Sequence, residues 1–371
     1  MQTDLPQRLK QKLEERESDG ALRKLKHFTG LIDFSSNDYL GFSQHPFIQQ
    51  HISDKLSEWG QTGSTGSRLL TGNHPAFEQL EHKIASFHDS ESALFFGSGY
   101  EANSGLIPTV AGRGDVILYD ELCHASLREG IRLSFASSFS FAHNNLDALE
   151  SLLKKQSSNV FIVSESVFSM DGDSCPLPEL VDLGEKYQAR LIIDEAHSTG
   201  VIGTNGEGLA QKKGLHNKIF ARIHTYGKAM GVQGAAILGS EDLKTYLVNY
   251  CRPFVYTTAP SLALVAGVDA AYTLLQSNDV AIEKLQQIIQ YANQIQLGDS
   301  PEISSIRIVT IPGNEEVSKA ASLVIESGFQ VLPVKAPTVS AGYERLRICL
   351  HAYNTFDELD SLNRVLNNII S

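Results

Sequence analysis

The sequence is poor in cysteine and has none of the usual metal-binding signatures. Its 371 residues include 4 cysteines and contain neither a CxxC pair nor an HExxH motif. The spacing disfavours a disulfide framework and a structural zinc site, so we expect buried free thiols at Cys123, Cys175, Cys251 and Cys349. No apolar run approaches the roughly 18 residues of a membrane span. The N-terminus lacks a hydrophobic signal segment, and the expected location is the cytoplasm.

Positive charge is also in the minority. Lys and Arg number 31 against 43 Asp and Glu, which gives a net charge of −12. This balance disfavours nonspecific binding to nucleic acid or to anionic membrane, although a local basic pocket for an anionic substrate remains compatible with it. The apolar content of 42 % and the charged content of 20 % are typical of a globular chain, and the length allows more than one domain.

Short apolar runs and amphipathic stretches alternate from about residue 75 onward. Buried strands are predicted at residues 93–96, 116–119, 160–163, 191–193, 219–223 and 235–238. Helices are predicted between them at residues 77–87, 146–154 and 177–187. Such alternation predicts an α/β fold with a mostly parallel sheet that is covered on both faces.

The two ends of the chain have other patterns. An amphipathic, highly charged helix is predicted at residues 3–26, and a long helical run at 261–297. The last segment predicts a small α+β domain, with strands at 306–311, 330–334 and 345–350 and helices at 315–327 and 355–370. We therefore expect an N-terminal helix and arm (1–45), a large domain (46–265) and a C-terminal small domain with its connecting helix (266–371).

Two of the apolar runs end in a carboxylate and in a lysine. The run at 191–193 ends in Asp194-Glu195-Ala196-His197, and a later stretch ends in His224-Thr225-Tyr226-Gly227-Lys228. This pair fits pyridoxal phosphate (PLP) chemistry, in which a carboxylate keeps the pyridine nitrogen protonated and a lysine holds the aldehyde as a Schiff base and moves protons. The alternative for Asp194 is a structural cap of the following helix.

Other motifs follow predicted strands in the same way. Gly97-Ser98-Gly99-Tyr100 opens a helix and could cradle a phosphate, although such a segment is often an ordinary turn. His124 could stack on a flat aromatic cofactor or could be a surface histidine. His197 could bond a cofactor oxygen or a neighbouring side chain. Ser169 could donate to a ring oxygen, but its spacing indicates only the edge of an active site.

The tetrapeptide Asp-Glu-Ala-His also matches the metal-binding box of a class of RNA helicases. Those enzymes require a phosphate loop of the type GxxxxGK[ST]. The sequence has no such loop, because Gly227-Lys228 is followed by Ala229. The acidic charge disfavours this interpretation as well.

The motifs together resemble the α-oxoamine synthases, PLP enzymes of fold type I, almost from end to end. The resemblance implies a seven-stranded, mostly parallel sheet with a smaller C-terminal α+β domain. It is carried by the segments 34–41, 63–68, 97–100, 123–127, 167–173, 194–197, 200–203, 225–228 and 337–339.

The resemblance also implies how the cofactor is held. Lys228 would form the Schiff base, Asp194 would pair with the pyridine nitrogen, and His124 would stack on the ring. His197 and Ser169 would bond the phenolic oxygen. The residues expected at or near the phosphate are Gly99, Tyr100 and Thr225, with Thr257 or Thr258 from the partner subunit of a homodimer.

The substrates implied are an amino acid and an acyl thioester. Asn37 and Arg347 would hold the amino-acid carboxylate, and Arg23 and Thr338 would meet the acyl substrate. The chain is most similar to the branch that condenses L-alanine with pimeloyl-CoA or a pimeloyl carrier protein in biotin biosynthesis, releasing CO₂ and the free thiol. Lys335 departs from the arginine usual at its position, which loses a bidentate contact.

Alternatives remain open at this point. The chain could be another PLP enzyme, such as a glycine C-acetyltransferase, a serine palmitoyltransferase or an aminotransferase. A catalytically silent partner subunit is the non-enzyme alternative, but such subunits typically lack the Schiff-base lysine, and Lys228 is present.

Overall fold

Strands and helices alternate along most of the chain. The computed structural model describes residues 4–277, 280–299 and 303–370. The strands are β1 (Ile32–Asp33), β2 (Ser92–Phe96), β3 (Val116–Asp120), β4 (Ser137–Phe141), β5 (Val160–Glu165), β6 (Arg190–Asp194), β7 (Ala221–Thr225), β8 (Ala235–Gly239), β9 (Ile306–Thr310), β10 (Phe329–Gln330), β11 (Leu332–Val334) and β12 (Arg345–Cys349).

The helices separate these strands. They are α1 (Gln7–Ser18), α2 (Pro46–Trp59), α3 (Pro75–Phe87), α4 (Gly99–Val110), α5 (Ala125–Leu133), α6 (Leu146–Leu153), α7 (Leu177–Tyr187), α8 (Leu209–Lys212), α9 (Glu241–Tyr250), α10 (Arg252–Val255), α11 (Leu262–Gln276), α12 (Val280–Gln294), α13 (Asn314–Glu326) and α14 (Phe356–Ile370). Two 3-10 helices lie at Phe42–Gln44 and His216–Lys218.

The chain divides into two compact units. The large unit comprises Asn37–Ser169 and Asp173–Gln286, and the small unit comprises Met1–Ser36, Met170–Gly172 and Gln287–Ser371. The three-part division of the chain at residues 45 and 265 stays a prediction of the sequence.

The large unit is built on a seven-stranded sheet in the order β2-β8-β7-β6-β5-β3-β4. β8 runs antiparallel to both of its neighbours, whereas the other neighbouring pairs are parallel. The predicted α/β class and the mostly parallel seven-stranded sheet are therefore confirmed. The carboxyl ends of all strands except β8 meet at one edge, which is where open α/β sheets bind ligands.

The central strands are buried along their whole length. Every residue of β5 and of β7 is buried, which requires cover on both faces of the sheet. The apolar core includes Ile117, Val163, Ile192, Ile223 and Ile237, all nearly inaccessible to solvent. A rigid core of this kind fixes the strand ends from which the site residues project.

The small unit is a separate α+β assembly. β11, β12 and β9 form an antiparallel sheet in that order, and β1 pairs with β10 in a two-stranded parallel ribbon. The strand predicted at residues 330–334 is thus two short strands, β10 and β11, that pair with different partners.

Two helix predictions were wrong in length. The helix predicted at residues 3–26 ends at Ser18, where Gly20 takes a left-handed backbone conformation with a φ of 63°. The single run predicted at 261–297 is two helices, α11 and α12. The described helices include none with the length and apolarity needed to cross a membrane. All four cysteines are buried and free, as predicted.

Candidate active site

The carboxyl ends of the parallel strands surround a cavity of about 250 Å³ in the large unit, here called the edge cavity. The last residues of β5, β6 and β7 and the segments that follow β2, β3, β6 and β7 contribute to it. Its lining residues are Ser98, Gly99, Tyr100, Asn103, His124, Ser126, Glu165, Asp194, Ala196, His197, Thr225, Gly227, Lys228, Gln233 and Gly234.

Many of the residues singled out in the sequence line this one cavity. They are Gly99, Tyr100, His124, Asp194, His197, Thr225 and Lys228. They lie far apart in the sequence and come together because neighbouring parallel strands end at the same edge. Asp194 and Lys228 therefore face one compartment. The sequence analysis requires this arrangement if both residues serve a single ligand.

The start of α4 forms a cradle suited to an anion. Ser98 caps the helix, and its Oγ accepts a hydrogen bond of 3.2 Å from the Glu101 N–H. A Cβ on Gly99 would lie 2.5 Å from Thr225 Cγ2, so only glycine fits there. Thr225 Oγ1 is buried and finds no hydrogen-bond partner among the residues that the structure describes. A helix start and an unsatisfied hydroxyl beside it suit a phosphate group.

Asp194, at the end of β6, is held rigidly with its carboxylate in the cavity wall. The residue is 3 % exposed. Its Oδ1 accepts a hydrogen bond of 2.8 Å from the Ala196 N–H, and its Oδ2 accepts one of 2.7 Å from Asn103 Nδ2. A buried carboxylate needs such donors, and its remaining lone pairs can accept from a cationic N–H of a ligand.

His124 follows β3 and caps α5 with its own side chain. Its Nδ1 accepts a hydrogen bond of 3.2 Å from the Ser126 N–H, and its backbone N–H donates to Glu165 Oε1. The residue as a whole is exposed, but its imidazole is partly desolvated, and this desolvation lowers the pKa of His124. The charge of Asp194 raises that pKa, whereas the charge of Lys228 lowers it further. These effects together favour the neutral form of the imidazole.

The sequence analysis missed Glu165, Asn103 and Ser126, which also line the cavity. Glu165 ends β5 beside Asp194, and its position at a strand end was the available signal. Burial, reinforced by the charge of Asp194, raises the pKa of Glu165 to about 8. Asn103 and Ser126 lie inside helices and carry no local signal.

His197 is buried in the cavity wall and is linked to the residues that precede α2. Its Nδ1 lies 2.9 Å from the Tyr39 hydroxyl, which donates a hydrogen bond of 3.1 Å to Asn37 Oδ1. Because the hydroxyl has one proton, His197 Nδ1 is then the donor to Tyr39. The predicted contact of Asn37 with a substrate carboxylate stays a prediction.

Ser169 and Thr258 are described residues that do not line the edge cavity. Ser169 is half-buried in the loop after β5, and the same loop is anchored by Asp173, which bonds His143 Nε2 at 2.7 Å. Thr258 is exposed after α10, and Thr257 is partly exposed. The predicted contact of Ser169 with the cofactor stays a prediction. So does the predicted contact of Thr257 or Thr258 with the phosphate bound by the partner subunit.

The residues predicted to meet substrates lie in the small unit, apart from Asn37. Arg23 donates a hydrogen bond of 3.3 Å to Thr338 Oγ1, so these two side chains are brought together. Arg347 lies on β12 with its Nη1 3.0 Å from Cys349 Sγ. Lys335 donates to the Gly20 carbonyl at 2.7 Å. The predicted contacts of Arg23, Thr338 and Arg347 with the substrates stay predictions.

Comparison with known proteins gives consistent matches. A family model described as aminotransferase class I and II matches residues 29–366. An 8-amino-7-oxononanoate synthase of Emericella nidulans is 38 % identical, covering 95 % of this chain and 93 % of that protein. One of Chromobacterium violaceum is 39 % identical, covering 89 % and 87 %.

Solved structures give the same picture. An 8-amino-7-oxononanoate synthase of Francisella tularensis superposes with a TM-score of 0.80 at 27 % identity, covering 92 % of this chain and 98 % of that chain. A serine palmitoyltransferase of Sphingomonas wittichii superposes with a TM-score of 0.90 at 25 % identity, covering 99 % and 98 %.

Proposed function

This chain belongs to the class I and II aminotransferase family and to its 8-amino-7-oxononanoate synthases, and we propose that the edge cavity is its PLP site. The family, enzyme class and cofactor predicted from the sequence are confirmed by these relatives. The reaction we propose condenses L-alanine with a pimeloyl thioester and gives 8-amino-7-oxononanoate, CO₂ and the free thiol.

One observation carries the proposal: Lys228 and Asp194 line the same cavity of about 250 Å³. PLP, when bound, supplies an aldehyde for an amine to attack and a ring that takes up the electron pair left when a bond at the amino-acid Cα breaks. The residues present fit this cofactor, because an anion cradle, a buried carboxylate and an amine all face one compartment.

Lys228 is proposed as the anchor and the proton carrier. Its Nζ would hold the cofactor at rest, and L-alanine would displace it. The freed amine would then remove the Cα proton of the substrate and later return a proton to the product. A positioned general base of this kind typically contributes about 10²–10⁴-fold to the rate.

Asp194 is proposed as the partner of the pyridine nitrogen. The Ala196 N–H and the Asn103 amide already fix both of its oxygens in place, so little reorganisation is needed when a ring N–H approaches. Its negative charge would keep that nitrogen protonated throughout turnover, which sustains the electron-withdrawing power of the ring.

The remaining lining residues are proposed to orient the ring. Thr225 Oγ1 and the backbone N–H groups of Gly99 and Tyr100 at the start of α4 would bind the phosphate. His124 would stack on the ring face, and its neutral imidazole adds no positive charge beside the protonated nitrogen. His197, together with Ser169, would address the phenolic oxygen.

The substrate contacts and the assembly are part of the same proposal. Arg347 and Asn37 would bind the carboxylate of L-alanine, and Arg23 with Thr338 would meet the acyl chain. A homodimer would bring Thr258 of one subunit, or Thr257, to the phosphate bound by the other. Family membership supports these roles.

The experiment that tests the proposed reaction is a substrate panel. The PLP-loaded enzyme is given L-alanine, glycine or L-serine with pimeloyl-CoA, acetyl-CoA or palmitoyl-CoA, and thiol release and the amino-ketone product are measured. Preference for L-alanine with pimeloyl-CoA is expected. Preference for glycine with acetyl-CoA, or for serine with palmitoyl-CoA, would indicate another α-oxoamine synthase, and the absence of turnover with every pair would refute the proposal.

A further inference from the structure

A continuous hydrogen-bonded chain links His124 to Asp194 through Asn103 and Ser126, to which the sequence analysis assigned no role. His124 Nδ1 lies 2.7 Å from Ser126 Oγ. Asn103 Nδ2 lies 3.0 Å from Ser126 Oγ and 2.7 Å from Asp194 Oδ2. Asn103 and Ser126 are 2 % and 1 % exposed, so the two middle members of this chain are largely shielded from solvent.

The direction of each bond follows from chemistry. A carboxylate only accepts, so the side of the Asn103 amide that faces Asp194 is the NH₂ group. The second proton of that NH₂ goes to Ser126 Oγ, which leaves the single hydroxyl proton of Ser126 for His124 Nδ1. The Ser126 backbone N–H, which can only donate, reaches the same Nδ1 at 3.2 Å.

Nδ1 of His124 therefore receives donors from two sides and has no room for a proton of its own. A neutral imidazole in this position carries its proton on Nε2. An imidazolium would turn an N–H of Nδ1 against the N–H of Ser126. The charged groups that act on the ring are Lys228 and Arg128, which disfavour protonation, and Asp194, which favours it.

We propose that Asn103 and Ser126 are positioning residues that hold His124 as the neutral, Nε2-protonated imidazole and, through the same amide, fix the orientation of Asp194. The inference deepens the proposed function, because the two ends of this chain are the groups assigned to the face and to the nitrogen of the PLP ring. One network would thus set both the stacking partner and the charge partner of the cofactor.

The test begins on the protein without added PLP. With [¹⁵N]histidine labelling and a His124→Gln variant to assign the signal, His124 is expected at pH 7 to show an unprotonated Nδ1 and a protonated Nε2. In Ser126→Ala and Asn103→Leu the fraction of this tautomer is expected to fall, because the side-chain donor to Nδ1 is lost or misplaced, although the Ser126 backbone N–H still favours an unprotonated Nδ1. Ser104→Ala is the matched control, since it removes a hydroxyl of α4, next to Asn103, that bonds backbone carbonyls of its own helix, Tyr100 O at 2.7 Å and more weakly Glu101 O.

The second readout is the pH titration of the visible absorption of the bound cofactor. Its midpoint is expected to shift in Asn103→Leu, and by less in Ser126→Ala, which leaves Asp194 bonded, while Ser104→Ala matches the wild type. If Asn103 and Ser126 only supported the helix cap at His124 and had no effect on the cofactor, the midpoint would be the same in all three variants and in the wild type.

Two results would overturn the inference. One is a wild-type His124 that is protonated on Nδ1 at pH 7. The other is a tautomer and a titration midpoint in Ser126→Ala and Asn103→Leu that equal those of Ser104→Ala. If Asn103→Leu does not fold, the tautomer and the titration midpoint of Ser126→Ala are compared with those of Ser104→Ala alone. A chain that bound no PLP would refute the proposed function, whereas the ¹⁵N measurement would still decide the tautomer.

Discussion

Glu165 and Asp194 are direct register partners at the ends of the adjacent parallel strands β5 and β6. Both are buried, and both line the edge cavity. Two carboxylates at adjacent strand ends repel each other when both are ionised, so one of them keeps its proton near neutral pH. Burial first, and then the charge of Asp194, raises the pKa of Glu165 to about 8.

This relationship predicts how stability varies with pH. A carboxyl whose pKa rises from 4.5 to about 8 on folding contributes stability that is fully present below about 4.5 and is lost as the pH rises through about 8. Glu165→Gln mimics the protonated acid and removes this dependence. We expect the free energy of unfolding of the wild type to fall relative to the variant across that interval, as measured by urea denaturation; a constant difference would contradict the assignment.

The buried hydroxyl of Thr225 provides a second prediction. Thr225→Val keeps the shape but removes Oγ1, which has no hydrogen-bond partner within residues 4–277, 280–299 and 303–370. The variant without PLP is expected to be as stable as the wild type or more stable, because an unsatisfied buried group is lost. Its affinity for PLP should fall about 10–100-fold, since a bond to a charged phosphate typically contributes about 1.5–3 kcal/mol. Equal affinity, measured by equilibrium dialysis, would exclude Thr225 from the phosphate site.

Gly99 and Thr225 pack so closely that an added methyl has no space. In Gly99→Ala the new Cβ would meet Thr225 Cγ2 at 2.5 Å. Overpacking of this kind costs about 1–3 kcal/mol, and we expect weaker PLP binding by at least several-fold. Gly112→Ala is the control, because its Cβ would meet no atom of the described part of the chain within 4 Å. Similar PLP affinities of the two variants would argue against the cradle.

Asp194→Asn tests the charge partner. The amide retains the shape but cannot keep the pyridine nitrogen protonated. We expect PLP to remain bound while exchange of the L-alanine α-proton in D₂O, followed by NMR, slows by about 10²–10³-fold. Unimpaired exchange in a PLP-loaded variant would show that the carboxylate is not the partner of the ring.

The main elements of the fold could be predicted because the central strands are continuous apolar runs between helices. β4 was missed, since Ser137–Phe141 alternates serine with phenylalanine and is mostly exposed at the sheet edge. β7 was placed two residues early. It continues through His224 and Thr225, which are polar but buried, and residue type alone does not reveal such burial.

The residues of the candidate site also fall into those that the sequence could predict and those that it could not. Asp194 and Lys228 could be predicted because each follows an apolar strand, where ligands bind in parallel sheets. Asn103 and Ser126 could not, because they lie within α4 and α5 and reach the cavity only through the packing of those helices. Glu165 lies two residues after the strand predicted at 160–163 and was given no role, since its role depends on a neighbour, Asp194, that is distant in sequence.

The most direct test of the central claim is to locate the cofactor's point of attachment. The PLP-loaded protein is reduced with borohydride and digested, and the modified peptide is identified by mass spectrometry. The account predicts a pyridoxyl group on Lys228, on the side chain that lines one cavity with Asp194. A pyridoxyl group on a different lysine, or no labelled peptide from a PLP-loaded sample, would contradict it.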